Sequence, residues 1–168
     1  MIDEIRSQFD LAWALADLHL AALVEDDFLW EPAPLCWTLR PDASRVWRPD
    51  WADVEPDPVP MPTIGWLSWH IDWWWSTAMD HMLGTTPRER TDVHWAGNGA
   101  AAVARLQDLA TLWSEVLATV DLQKPSAFPW SANAGRTVAD TALWVNVELT
   151  KNIAEIGQLR LLRAASAS

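Results

Sequence analysis

The sequence has few cationic side chains and a single cysteine, and each shortage argues against a class of function. Twelve lysines and arginines stand against 23 aspartates and glutamates, which gives a formal net charge of −11. Because such a field repels phosphate backbones, nucleic-acid binding is not expected as a main activity. The single cysteine, Cys36, excludes an intramolecular disulfide. Its neighbours in sequence include no base that would activate a thiol, so a structural role is expected.

The sequence also lacks long apolar runs. No stretch reaches the roughly 18 apolar residues of a transmembrane helix, so no membrane span is expected. The first ten residues are acidic rather than basic and do not resemble a signal peptide, which favours a cytoplasmic location. A chain of 168 residues fits one domain, residues 1–168, with a substantial core.

Tryptophan is what the sequence has in excess. Fourteen occur in the chain, and five of them fall in residues 66–75, where His70 is the only polar ring. Two interpretations stay open: an apolar pocket with a chemical group at His70, or a packed core in which His70 is merely hydrogen-bonded. The five indoles spread around more than one face of a helix, so they cannot all line one pocket.

Apolar residues recur at helical spacing in four segments. Pro62 and Thr63 are typical of a helix start, Gly84 of a helix end, and Thr137 with Asp140 of a capping box. The predicted helices cover residues of about 2–28, 63–83, 99–120 and 137–165.

Residues 30–62 separate the first two predicted helices. Eight of the eleven prolines lie in this segment, which excludes a regular helix, and a loop of this length is typical of a functional segment. No strand-like alternation is found. The pattern therefore predicts an all-α fold, a four-helix bundle with a long first crossover loop.

The fourth predicted helix carries the clearest chemical pattern. Glu148, Asn152 and Glu155 follow i, i+4, i+7 spacing, so they share one face, with Lys151 beside them. This stripe faces either a cleft of the bundle or solvent, and both alternatives stay open. His70 on the second helix is the natural partner, because one histidine and two glutamates suffice for a divalent metal. A lone histidine among aromatics is more often a core residue with its hydrogen bonds satisfied.

Two short motifs stand out, Thr-Ile-Gly-Trp-Leu-Ser-Trp-His-Ile at residues 63–71 and Glu-Ile-Gly-Gln-Leu-Arg at residues 155–160. They resemble the second helix and the fourth-helix motif of the DinB-like superfamily of four-helix bundles, which includes mycothiol- and bacillithiol-dependent transferases. The resemblance covers most of the chain. It implies that His70 is a metal ligand and that zinc or nickel and a low-molecular-weight thiol are candidate cofactors. The chain departs from the family where the fourth helix supplies two ligands, because Lys151 and Glu155 stand there and a protonated lysine cannot ligate.

Three functions are therefore predicted. The first is a small-molecule-binding bundle with a degenerate, metal-free site near His70, in which Lys151 replaces the charge of the metal and pairs with Glu148 or Glu155. The alternatives are a metal- or thiol-dependent transferase or isomerase, and a structural homodimerisation module in which residues 30–62 pack on a partner chain. A homodimer is expected because fourteen exposed tryptophans would create large apolar patches.

The candidate residues follow from these patterns. The candidate catalytic residues are His70, Glu148 and Glu155. The candidate metal ligands are His70 and Glu155. The predicted pocket residues are His70, Trp66, Trp74, Lys151 and Asn152.

Overall fold

Four long helices dominate the computed structural model, which describes residues 1–166. The helices are α1 (Ile2–Leu20), α2 (Ile64–Leu83), α3 (Gly99–Thr119) and α4 (Val138–Ser166). α1 packs mainly against α4, and α2 packs against both α3 and α4. The first connection therefore crosses the bundle, because α1 has its main contacts with α4 rather than with α2. The predicted all-α bundle is confirmed.

The predicted helix ends are confirmed where a local signal marks them. The Thr63 hydroxyl accepts the Trp66 N–H at 3.2 Å and starts α2. Gly84 ends α2 in the left-handed conformation, with φ at 73°. At the start of α4, the Thr137 N–H donates to Asp140 Oδ2 at 2.8 Å and the Asp140 N–H donates to Thr137 Oγ1 at 3.4 Å. These two reciprocal bonds are those of a capping box.

α1 is shorter than the sequence predicts. It ends at Leu20, so the prediction of helix for residues 21–28 is wrong. The Asp27 carboxylate explains the difference, because it accepts the Val24 N–H at 2.8 Å and pairs with Arg163 on α4. A side chain that satisfies the backbone in this way competes with helix formation. The chain leaves the helix and forms a single 3₁₀ turn around Asp27.

The long loop, residues 30–62, contains four short strands that were not predicted. They are β1 (Cys36–Trp37), β2 (Leu39–Pro41), β3 (Trp47–Pro49) and β4 (Met61–Pro62). β1 pairs in parallel with β4, and β2 pairs with β3 in antiparallel fashion. Strands of two or three residues are too short to produce the alternation that identifies a strand in sequence. The prediction that this segment forms no regular helix is confirmed.

The hydrophobic core lies between the four helices and takes in much of the tryptophan window. Trp69, Trp75 and Trp113 are among the largest fully buried side chains. Trp75 packs edge-on against Phe9 of α1, with ring centroids 5.9 Å apart, and against Trp113 of α3 at 6.3 Å. Within residues 1–166, no helix is long and apolar enough to cross a membrane.

Candidate functional site

A cavity of about 300 Å³ opens between the long loop, the first half of α2 and the middle of α4. The loop contributes mainly aromatic and aliphatic side chains, and the two helices contribute most of the polar groups. The lining residues are Trp37, Trp51, Glu55, Val59, Pro60, Pro62, Trp66, Leu67, His70, Lys151, Asn152 and Glu155. A cavity of this size, mostly apolar with a few polar groups, is typical of a site for a small ligand.

Strand pairing in the loop builds the aromatic wall of this cavity. The β1–β4 register places Trp37 opposite Pro62, and the Thr63 N–H donates to the Trp37 carbonyl at 2.9 Å. Trp37 is thereby held beside the first turn of α2, where its ring stacks on Trp66 with centroids 5.0 Å apart. The Trp66 indole N–H donates to the Asp50 carbonyl at 2.8 Å, which fixes the loop to the helix from the other side. The wall is therefore formed by contacts between residues far apart in sequence.

His70 lies on α2 in an aromatic setting. Its ring stacks on Trp66, with centroids 4.8 Å apart and an angle of 15° between the planes. Burial, together with the positive charge of Lys151, lowers the pKa of His70 from 6.5 to about 4. Among the described residues, no hydrogen-bond partner reaches its buried Nδ1. His70 is therefore neutral at pH 7, and its hydrogen-bonding capacity is not fully used by the protein.

The polar stripe of α4 is divided between the interior and the surface. Asn152 is buried, accepts the Trp74 indole N–H at Oδ1 (3.0 Å) and donates from Nδ2 to Glu155 Oε2 at 3.0 Å. Lys151 is half-exposed and donates to Glu148 Oε1 at 2.5 Å. The pairing of Lys151 with Glu148, one of the two predicted partners, is thus present. Neither the fully buried nor the fully solvated interpretation of the stripe describes all four residues.

The structure brings most of the predicted pocket residues together. His70, Trp66, Lys151 and Asn152 all line the cavity, as does Glu155. The catalytic roles suggested for His70, Glu148 and Glu155 stay predictions.

Two of the candidates lie outside the lining. The prediction of Trp74 as a lining residue is wrong, because its ring packs against Trp75 and Trp144 and reaches the site only through its bond to Asn152. Glu148 does not line the cavity and is connected to it only by its ion pair with Lys151. Of the five tryptophans in the window, only Trp66 lines the cavity, which confirms that the rings do not share one pocket.

The sequence interpretation missed the part of the site that comes from the long loop. Trp37, Trp51, Glu55 and Val59 all line the cavity, yet none belongs to a helical pattern. The available signal was the unusual length and the tryptophan and proline content of residues 30–62.

The donor set around His70 does not fit a divalent metal ion. Within residues 1–166, no three histidine, cysteine, aspartate or glutamate side chains lie close enough together to hold one. Both candidate ligands, His70 and Glu155, line the cavity, but Lys151 lines it too. An ammonium offers no lone pair, so Lys151 cannot supply the missing ligand. Its charge already acts on the imidazole, because it helps to lower the pKa of His70.

Two further expectations concern reactive or exposed groups. Cys36 is half-buried, lies outside the cavity lining and donates its thiol hydrogen to the Ala33 carbonyl at 2.8 Å, in keeping with a structural role. All fourteen tryptophans are buried or half-buried within the single chain. The premise that they would be exposed on a monomer is therefore wrong, and the homodimer stays a prediction without that support.

Comparison with protein families gives a match over most of the chain. The family model described as the DinB superfamily matches residues 8–156. No curated protein and no solved structure matches the chain significantly. The match spans all of α2 and α3 and includes every residue that lines the cavity.

Proposed function

The chain belongs to the DinB superfamily, and we propose that its His70 cavity binds a small organic molecule without a resident divalent metal ion. One observation carries this proposal: a cavity of about 300 Å³ combines a stacked indole wall with a half-buried imidazole that lacks a full set of protein partners. Buried polar groups in folded proteins are normally paired. His70 also lines the cavity, and we infer that a bound ligand becomes a hydrogen-bond partner of its imidazole.

The charges in the cavity support a metal-free site. Lys151 stands where the family resemblance implies a metal ligand, and its ammonium supplies positive charge near His70. Its ion pair with Glu148 holds that charge in place at the rim. In this proposal Lys151 substitutes for the charge of a metal, and His70 acts as a neutral hydrogen-bonding group rather than as a ligand of a cation.

The binding part of the proposal is tested by NMR titration with four small probes: indole, benzyl alcohol, benzylammonium and benzoate. Fluorescence would not localise binding, because fourteen indoles contribute to the signal. We expect at least one probe to shift the ring resonances of His70 and Trp66 in a saturable way. If none of the probes shifted either residue, the binding proposal would be overturned.

A matched pair of variants distinguishes the cavity from the surface. Val59 lines the cavity, whereas Val54, in the same loop, is 82% exposed and lies outside the lining. Val59→Trp should fill the cavity and abolish the titration, and Val54→Trp should leave it unchanged. Equal binding by both variants would place the probe elsewhere.

The metal-free part is tested separately by elemental analysis. Protein purified without a histidine tag and dialysed against zinc or nickel should contain far less than one equivalent of either metal. A full equivalent that disappears in His70→Gln would overturn this part of the proposal, whatever the outcome of the ligand titrations.

A further inference from the structure

We propose that the His70 cavity selects a small organic ammonium ion with an aromatic or aliphatic body. This selectivity rests on the proposed function and specifies the charge of the ligand. Three features of the cavity carry it: acceptor atoms without protein donors, a single ammonium that is already paired, and an aromatic wall that already holds one cation.

The cavity presents hydrogen-bond acceptors that no protein group satisfies. Glu155 Oε2 accepts from Asn152, but within residues 1–166 no protein donor reaches its Oε1 or the carboxylate of Glu55. The Oδ1 of Asn152 already accepts the Trp74 indole N–H. Ionised carboxylates form their strongest hydrogen bonds with charged donors. The group that completes this cavity is therefore a donor, and an ammonium is the donor that also neutralises the carboxylates.

The balance of charge also favours a cation. The one ammonium of the wall, Lys151, is half-exposed and is paired with Glu148 at 2.5 Å. Beside this ion pair, the lining holds two further carboxylates, those of Glu55 and Glu155, and, within residues 1–166, no further ammonium. The chain as a whole carries a net charge of −11. Both the local and the overall field therefore attract a cation and repel an anion.

The aromatic wall already accommodates one cation. The guanidinium of Arg90 lies 4.5 Å from the ring centre of Trp51, which stacks with Trp37 and Trp66 in the same wall. Indole faces attract cations through the negative potential above the ring. His70 is stacked on Trp66 and adds no positive charge at neutral pH. A ligand ammonium held against this wall gains both the carboxylates and the ring potential.

Three probes of nearly equal size separate charge from shape: benzylammonium, benzyl alcohol and benzoate. In NMR titrations at pH 7, we expect benzylammonium to bind His70 and Trp66 with a dissociation constant about tenfold lower than that of benzyl alcohol. Benzoate should bind most weakly. If benzyl alcohol or benzoate bound in the cavity as tightly as benzylammonium, the charge selectivity would be wrong while the proposed binding function stood.

Charge-neutralising variants provide the control. Glu155→Gln keeps the size of the side chain and should raise the dissociation constant of benzylammonium about fivefold, with that of benzyl alcohol changed by less than about twofold. Glu115→Gln on the exposed face of α3 changes the net charge equally and should affect neither probe. Equal effects of the two variants would show that only the overall field attracts the cation. Absence of binding by every probe would overturn the proposed function as well.

Discussion

Asp72 and His70 lie two residues apart on α2, but the protein satisfies the hydrogen bonds of only one of them. Asp72 is bonded on all sides: Arg105 donates to its two carboxylate oxygens at 2.8 and 3.0 Å, and the Ser76 hydroxyl donates to Oδ1 at 2.8 Å. We call Asp72, Ser76 and Arg105 the paired cluster. His70, in contrast, has a buried nitrogen that no described group reaches.

The volume of the cavity beside Asp72 also differs from that beside His70. The gap next to Asp72 and Arg105 holds about 10 Å³, too little for an organic ligand, whereas the cavity next to His70 holds about 300 Å³. We expect a satisfied charge with no space beside it to serve stability, and an incompletely paired group beside a cavity to serve binding. The comparison predicts that substitutions in the paired cluster cost folding free energy, while those in the cavity change its chemistry.

The largest effect is expected in the paired cluster. Asp72→Ala removes a carboxylate that is 8% exposed and leaves Arg105 without its partner. We expect the free energy of unfolding to fall by about 2 kcal/mol, less than for a fully buried pair because Arg105 is partly solvated. Chemical denaturation measures the change, with Asp108→Ala on the exposed face of α3 as the control, expected within about 0.5 kcal/mol of the wild type. A loss equal to that of the control would mean that the paired cluster contributes little to stability.

A smaller effect is expected from acid at His70. Its folded pKa of about 4 lies below the ordinary 6.5, so the unfolded chain binds more protons between these values and stability falls as the pH drops through that window. This linkage amounts to about 1.4 kcal/mol at pH 5.5. His70→Gln cannot titrate, so the difference between the pH profiles of wild type and variant isolates the contribution. Parallel profiles would show that His70 is not held neutral by the fold.

Helix boundaries were predictable from sequence where the determining interaction is local. Thr63, Gly84 and the pair Thr137 and Asp140 each act within a few residues, and the structure confirms all of them. The end of α1 was not predictable, because Asp27 is held by Arg163, which is 136 residues away in sequence. Local patterns contain no information about such a partner.

The site residues likewise divide into those that local helical spacing predicts and those whose position depends on long-range contacts. Helical spacing was sufficient to bring Lys151, Asn152 and Glu155 to one region of α4. It was not sufficient for Trp37, whose position depends on the β1–β4 pairing across the long loop. It also misled at Trp74, which lies four residues after His70 on the same face of α2 but packs deeper against α4.

The smallest effect on stability is expected at Lys151. Its side chain is 53% exposed and its ion pair with Glu148 lies at the rim, so Lys151→Met should change the free energy of unfolding by less than about 0.5 kcal/mol. The same substitution removes the positive charge that disfavours protonation of His70, so the pKa of His70 should rise. Histidine ring resonances followed by NMR against pH measure that rise directly.

Lys124→Met is the matched control for this substitution. It removes the same charge from a side chain that lies near Gly84, at the far end of α2 from His70. If the two variants moved the pKa of His70 equally, the ammonium of Lys151 would have no specific action on the cavity, and its proposed role in place of a metal would be wrong. A rise confined to Lys151→Met, with stability unchanged, would show that this residue is retained for the charge it gives the cavity, whereas Asp72 is retained for the fold.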